Sequence, residues 1–259
     1  PEGDAARARL EAARANTRPS GGHASLYVGV EGTAEELGLP ANNIWVYPGN
    51  DHDAQSAAWQ RDVDAPLPVA FCSFASARDP AFTAKHPGHA TLEVLTMCDA
   101  AQVAAWQGTR WKKRGDDYEA FKAHVSDRLL DALYEQCPQL RGRIAHHELS
   151  TPLTTQHFAG HPQGEIYGVA CTPARFEAHE MRPATALPGL WMTGADVCSP
   201  GVAGAAIGGV LAAVAISGSP RSFRHTMTGA YEPKVVAAPC ATTARSVAAA
   251  SAEARSAAE

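Results

Sequence analysis

Two adjacent segments constrain this chain most. Leu187-Pro-Gly-Leu-Trp-Met-Thr-Gly-Ala-Asp196 is followed by Gly201-Val-Ala-Gly-Ala-Ala-Ile-Gly-Gly-Val-Leu-Ala-Ala-Val-Ala-Ile216, and the second runs 16 residues without a charge. Leu190 to Thr193 reads as a short buried strand closed by Gly194 and Asp196, and a helix of small residues opens near Gly201. A helix start offers unpaired N–H groups and a partial positive charge. An acid at a strand end accepts from hydroxyls. Together they make a cradle for a ligand carrying hydroxyls and negative charge.

An uncharged run of this length also invites a membrane reading. A span needs about 20 predominantly apolar residues, and Gly204, Gly208 and Gly209 dilute this one. Gly204 and Gly208 form a GxxxG pair, which joins helices in lipid. In a water-soluble fold the same glycines let a helix press on neighbouring backbone. The strand and Asp196 ahead of the run favour a buried helix at a nucleotide site.

Composition fits a folded body and narrows its partners. The 259 residues suffice for one large domain or two modest ones, and 45% hydrophobic with 19% charged residues is ordinary for a globular protein. A net charge of −5 supplies no basic field, so nucleic acid is not an expected partner. Six cysteines are scattered without a CxxC pair, which favours reduced, mostly buried thiols over disulfides or zinc. Residues 1–18 are rich in Ala, Arg and Glu and read as a helical lead-in. Residues 219–259 hold few large apolar groups and are expected to be a disordered tail, with a weak helix conceivable at its alanine-rich end.

Between these ends the chain alternates apolar runs with turn residues. Strands are expected at Ser25–Val30, Asn43–Tyr47, Pro68–Phe74 and Ala90–Met97, which carry β-branched and aromatic residues, and a further strand at Arg143–Leu149. No strong helix separates the first of them, which suggests antiparallel pairing. Tyr118, Phe121, Val125, Leu129 and Leu133 make one apolar stripe, predicting a helix over Asp116–Gln136 that Pro138 stops. Thr151-Pro152 reads as an N-cap followed by proline in the first turn of a short helix through Phe158. The fold class is α/β in the α+β sense, with a mixed, partly antiparallel sheet covered by helices.

Other residue groupings point to less. His86 and His89 flank Pro87-Gly88, so with Glu93 they mark a turn rather than a metal-ligating helix face. His146 and His147 point to opposite faces of a strand. Asp51-His52-Asp53 reads as a solvated turn after Pro48-Gly49. Ser73 and Ser199 sit in no G-x-S-x-G elbow. Tyr167-Gly168 is the best substrate-lining candidate, since a glycine beside an aromatic admits a flat ligand, although a core tyrosine is the commoner outcome. No metal site, catalytic acid or catalytic base is assigned.

The segment ending in Gly194-Ala195-Asp196 and the helix from Gly201 resemble the closing flavin-contacting motif of the amine oxidase, phytoene desaturase and carotenoid isomerase superfamily, and within it the retinol saturase group. The order of Pro19-Ser20, Ser25-Leu-Tyr-Val-Gly29, Leu37-Gly-Leu39, Asp51-His-Asp53, Pro68-Val69, His86-Pro-Gly88, Thr151-Pro-Leu153 and Gly164-Glu-Ile-Tyr-Gly168 extends the resemblance over residues 19–217. Ala195 stands where that group's pattern has Gln. The resemblance implies an FAD enzyme that saturates, desaturates or isomerises conjugated polyenes of the retinol or carotenoid kind, with NAD(P) as a conceivable electron source. Asp196 would hold the ribityl chain, and backbone groups of Gly194, Ala195, Gly201, Val202 and Ala203 would face the flavin. It further implies a substrate-binding domain at 19–185, a closing part of a Rossmann-like FAD domain at 186–218, and peripheral membrane association. No G-x-G-x-x-G turn for the pyrophosphate occurs in these residues, so the chain is expected to be the C-terminal part of a longer enzyme. The competing expectation is a non-catalytic domain that binds an apolar ligand or partner and has lost flavin.

Overall fold

A computed structural model describes residues 2–218; the expected tail at 219–259, with Cys240, lies outside them. By internal contacts the chain divides into Pro1–Ala212 and Ala213–Glu259, and the architecture below is that of the first. Helix α1 (Glu2–Asn16) precedes strand β1 (His23–Glu31). Strand β2 (Ile44–Val46), helix α2 (His52–Arg61), strand β3 (Ala70–Ser73), two single-turn helices α3 (Ala75–Arg78) and α4 (Phe82–Lys85), and strand β4 (His89–Met97) follow. After a 3-10 helix at Ala100–Trp106 come α5 (Asp116–Gln136), β5 (Ile144–Ser150) and α6 (Pro152–Ala159). A stretch with little regular structure then contains only the short α7 (Pro173–Glu177) and a 3-10 turn before α8 (Gly201–Ser217).

The five strands form one sheet in the order β2-β3-β4-β1-β5, and every pairing is antiparallel. This is the α+β fold that the pattern of runs and turns implies, with the sheet antiparallel throughout. Alternation sends Ala24, Leu26, Val28 and Val30 of β1 and Ala90, Leu92 and Val94 of β4 to one face. There they meet Val125, Leu129 and Leu133 of α5 in a single buried cluster. Helix α5 has the bounds that the apolar stripe predicts, and acids at Asp116, Asp117 and Glu119 favour its positive start. Thr151 precedes α6 with Pro152 in the first turn, its backbone N–H donating to Thr154 Oγ1 at 3.1 Å.

Two expectations need correction. Asp51-His52-Asp53 is not a free turn: the Asp51 carboxylate accepts from the Ala54 N–H at 3.0 Å and caps α2. The capping pattern of an acid three residues before a helical N–H explains the choice. Leu190–Thr193 forms no strand; Trp191 makes a single isolated bridge to Ala184, and Leu190 and Trp191 are exposed. A strand needs a ladder beside it, and here one residue stands opposite. Cys72, Cys98 and Cys137 are buried free thiols, as the scatter of cysteines implies, whereas Cys171 is exposed. Burial pushes the Cys72 and Cys98 thiols up to about 12.

Candidate functional site

Gly194, Ala195 and Asp196 lie on one turn, and Gly201 to Ala203 open the helix after it. Gly194 has φ +92° and Gly201 φ +88°, values that favour glycine, so the chain can reverse after residue 193 and again at the start of α8. Asp196 lies between them. Its Oδ1 accepts from the Val169 N–H at 2.8 Å, while Oδ2 has no partner among the described residues. A Cβ on Gly168 would collide with this carboxylate, so glycine there is what allows the approach. The neighbouring Tyr167 donates its backbone N–H to Ser20 Oγ at 3.1 Å, and its ring is 52% exposed. Tyr167 is thus a surface residue beside the Asp196 turn, not a core tyrosine.

Arg175 holds the arrangement together and had no signal in the sequence. It is 3% exposed, and its guanidinium donates to the Val169 carbonyl at 2.7 Å and to the Ala195 carbonyl. A buried cation is tolerated when carbonyl oxygens surround it. One side chain therefore ties the 168–169 segment to the 194–196 turn that Asp196 already bridges. No periodicity marks such a residue, because its burial is decided by segments distant in sequence.

Helix α8 sits against this turn through its glycines. A Cβ at Gly208 would strike the backbone of Gly194, and one at Gly204 that of Ser199. Close backbone packing is what the GxxxG spacing achieves here. No helix among the described residues is long and apolar enough to cross a membrane. At the helix start, the N–H groups of Gly201, Val202 and Ala203 find no acceptor among the described residues, and Val202 is 91% exposed. Gly194, Ala195 and Asp196 thus lie on a turn with one carboxylate oxygen free, and Gly201, Val202 and Ala203 open the helix that follows it with free donors.

A second region emerges from the sheet. Its face opposite the core carries Trp45, Phe71 and Leu95 in register across β2, β3 and β4. Tyr27 stands between Glu93 and Glu148 in the next row, and Gly29 between Thr91 and His146. The Tyr27 and Gly29 rows, without the Trp45 row, line an open trough of about 430 Å³. Period-two alternation could have revealed this face, because β1 and β4 carry a second, partly aromatic set of residues beside the buried one. His86 caps α4 and His89 begins β4, and among the described residues no group of three or more His, Cys, Asp or Glu side chains could hold a metal ion.

No protein-family model matches the chain. It is 34% identical over 191 residues to the all-trans-retinol 13,14-reductase of Danio rerio, covering 71% of this chain and 32% of that protein. It is 32% identical over 209 residues to the protein of that name from Homo sapiens and 31% identical over 209 residues to that from Macaca fascicularis, each time covering 77% of this chain and 34% of the relative. The chain spans about a third of the length of the relatives it matches. Over this shared third, the chain is a homologue of proteins named all-trans-retinol 13,14-reductase, in line with the resemblance to the retinol saturase group.

Proposed function

We propose that this chain is part of an FAD-dependent oxidoreductase acting on conjugated polyenes such as retinoids, with saturation of a double bond the reaction its relatives' names favour. The observation that carries the reading is the turn at 194–203. The flavin's ribityl hydroxyls call for an acceptor, and Asp196 Oδ2 is free while Oδ1 is already anchored on Val169. The ring's pyrimidine edge calls for N–H donors, and Gly201, Val202 and Ala203 present theirs at a helix start. Two glycines at positive φ leave the backbone open to close approach. When bound, the flavin supplies the hydride or electron exchange, and the protein supplies orientation and exclusion of water.

The remaining roles fall to residues of this chain. Arg175 positions Ala195 and Val169 and so fixes where Asp196 sits. The aromatic and aliphatic rows of the open sheet face suit a flat hydrocarbon, and Tyr27 with Glu93 and Glu148 can exchange a proton with a ligand lying there. In this reading residues 19–185 form the substrate side, residues 186–218 close the flavin side, and the pyrophosphate turn comes from sequence outside this chain.

The test is flavin retention. The chain alone is expected to purify colourless, because the pyrophosphate contacts are missing; a stoichiometric yellow protein overturns that division. In the complete protein, Asp196→Ala should weaken FAD binding by about 1.5–3 kcal/mol, the range of a charged hydrogen bond. Asp196→Asn keeps an acceptor for Val169 and separates loss of the fold from loss of the hydroxyl contact. Unchanged FAD occupancy in both variants at limiting FAD rules the assignment out.

A further inference from the structure

The sequence Arg110-Trp111-Lys112-Lys113-Arg114 places four cations in five residues of a chain whose net charge is −5. The fold turns part of this run into a cavity of about 360 Å³ between the loop, the start of α5, α6 and the edge strand β5. Lys112, Arg114 and Lys122 line it, together with aromatic rings of Tyr27, Tyr118 and Phe158. We propose that this cavity binds a nucleotide, its phosphate held by the three cations and its base lying on the exposed rings of Phe158 and Tyr27 rather than on the buried Tyr118. The proposal goes beyond the flavin reading and uses none of the residues of the Asp196 turn, although Tyr27 and Glu148 also border the neighbouring sheet trough.

Several independent features point to an anionic, flat ligand. Lys112 is the non-glycine residue with positive φ among the described residues, at +61°. That conformation costs free energy in a lysine and is retained where the surroundings enforce it. It places Nζ 4.5 Å from the centroid of the Trp111 ring. Trp111 is itself fixed, stacked on His157 at 5.2 Å and edge-on to Phe158 at 5.4 Å. Arg114 stands over the Tyr118 ring at 5.2 Å with its Nε buried and unpartnered, and Lys122 lies 6.0 Å from the same ring. None of the three cations forms an ion pair among the described residues. Unpaired cations gathered in a concave wall favour phosphate.

Two features decide against a phospholipid surface. The cavity is concave, and Glu119 and Glu148 share its lining. Carboxylates oppose a sheet of anionic headgroups, but they accept readily from ribose hydroxyls and from a base amino group. Phe158, 66% exposed, offers a ring face to a base, and stacking on such a ring is tolerant of base identity.

Titration calorimetry of the full chain with ADP and with NADPH at low salt tests this, with binding expected to weaken as salt rises. Lys112→Gln combined with Lys122→Gln should raise Kd by about tenfold or more, the loss expected of charge-assisted hydrogen bonds. Arg110→Gln with Lys113→Gln makes the same charge change on exposed residues outside the cavity and should alter Kd by no more than about twofold. Phe158→Ala should weaken nucleotide binding while leaving inorganic pyrophosphate unaffected. Equal losses from both charge pairs would overturn the proposal in favour of a diffuse basic loop. So would absence of nucleotide binding, or binding only to vesicles of phosphatidylcholine and phosphatidylserine. Asp196→Ala, which removes the proposed flavin contact and lies outside the cavity, is expected to leave the nucleotide Kd unchanged, so failure here and failure of the flavin reading are told apart.

Discussion

The sheet body at 19–159 and the segment at 160–212 use apolar residues in opposite ways. In the body, large side chains find one another: Trp59, Phe74, Leu26, Leu92, Leu129 and Leu133 are all essentially inaccessible. In the segment, Leu187, Leu190, Trp191, Val202, Ile207 and Leu211 stay exposed, and order comes from polar ties through Arg175, Asp196 and Thr185. Helix α8 shows the contrast within one element. Its glycines are packed on Gly194 and Ser199, yet Val202, Ile207 and Leu211 of the same helix stay exposed. A helix apolar all round is normally buried on every side. Apolar patterning thus states that a surface is to be covered, and leaves open what covers it.

The largest effects should come from the body. Trp59→Ala removes a fully buried ring and the hydrogen bond from its Nε1 to the Met97 carbonyl at 2.6 Å. A loss of about 3–5 kcal/mol is expected, read from the urea midpoint at constant slope. Leu129→Ala should fall near the middle of the same range. The contrast between regions breaks if either variant costs no more than a change at Leu190.

Next in size is Arg175→Ala. It leaves the carbonyls of Val169 and Ala195 without their donor in a buried place, which costs about 2–3 kcal/mol. Lysine should not rescue it, because one ammonium lacks the fork that reaches two carbonyls. Limited proteolysis should show the 185–200 region cut faster, while the sheet body stays intact. Gly204→Leu follows, at about 1–3 kcal/mol for overpacking against Ser199. A stable Gly204→Leu chain would mean that α8 does not press on this backbone.

What was legible in the sequence divides along the same line. The stripe from Tyr118 to Leu133 gave α5 to the residue, and the five β-rich runs gave the sheet, because these elements satisfy each other within the chain. Thr151-Pro152 announced α6 through local chemistry alone. The strand at Leu190–Thr193 was misread because strand character depends on a neighbour that the described residues do not provide. The motif singles out Gly194, Asp196 and Gly201 as flavin contacts; no motif in the sequence singles out Arg175, Lys112 or the open sheet face. Their roles arise from segments brought together only by folding.

A smaller effect is set by pH. His23, at the start of β1, has its Nδ1 buried without a partner, and burial lowers its pKa below the usual 6.5. The neutral ring is therefore favoured in the folded state. Between 6.5 and the lower folded value the unfolded chain binds more protons, so stability rises with pH there. This contribution is whole above 6.5 and lost as the solution is acidified through the folded pKa. Unfolding free energies at pH 7.5 and 5 should differ less in His23→Gln than in the parent. An equal slope in both would exclude His23 as a source of the dependence.

The smallest effect expected, and the sharpest check on the contrast, comes from the exposed apolar residues themselves. Leu190 is 52% exposed, and Val202 more so. Removing a side chain this exposed leaves no enclosed void, so Leu190→Ser and Val202→Ser should shift the stability of the chain by no more than about 0.5 kcal/mol. In the longer enzyme proposed above, the same two changes are expected to cost more, about 1.5–3 kcal/mol for each side chain that becomes fully buried. Equal, small costs in both would count against that proposal. Were Leu190→Ser as costly in the chain alone as Leu129→Ala, residues 186–211 would already be buried within it, and the two regions would not differ in kind.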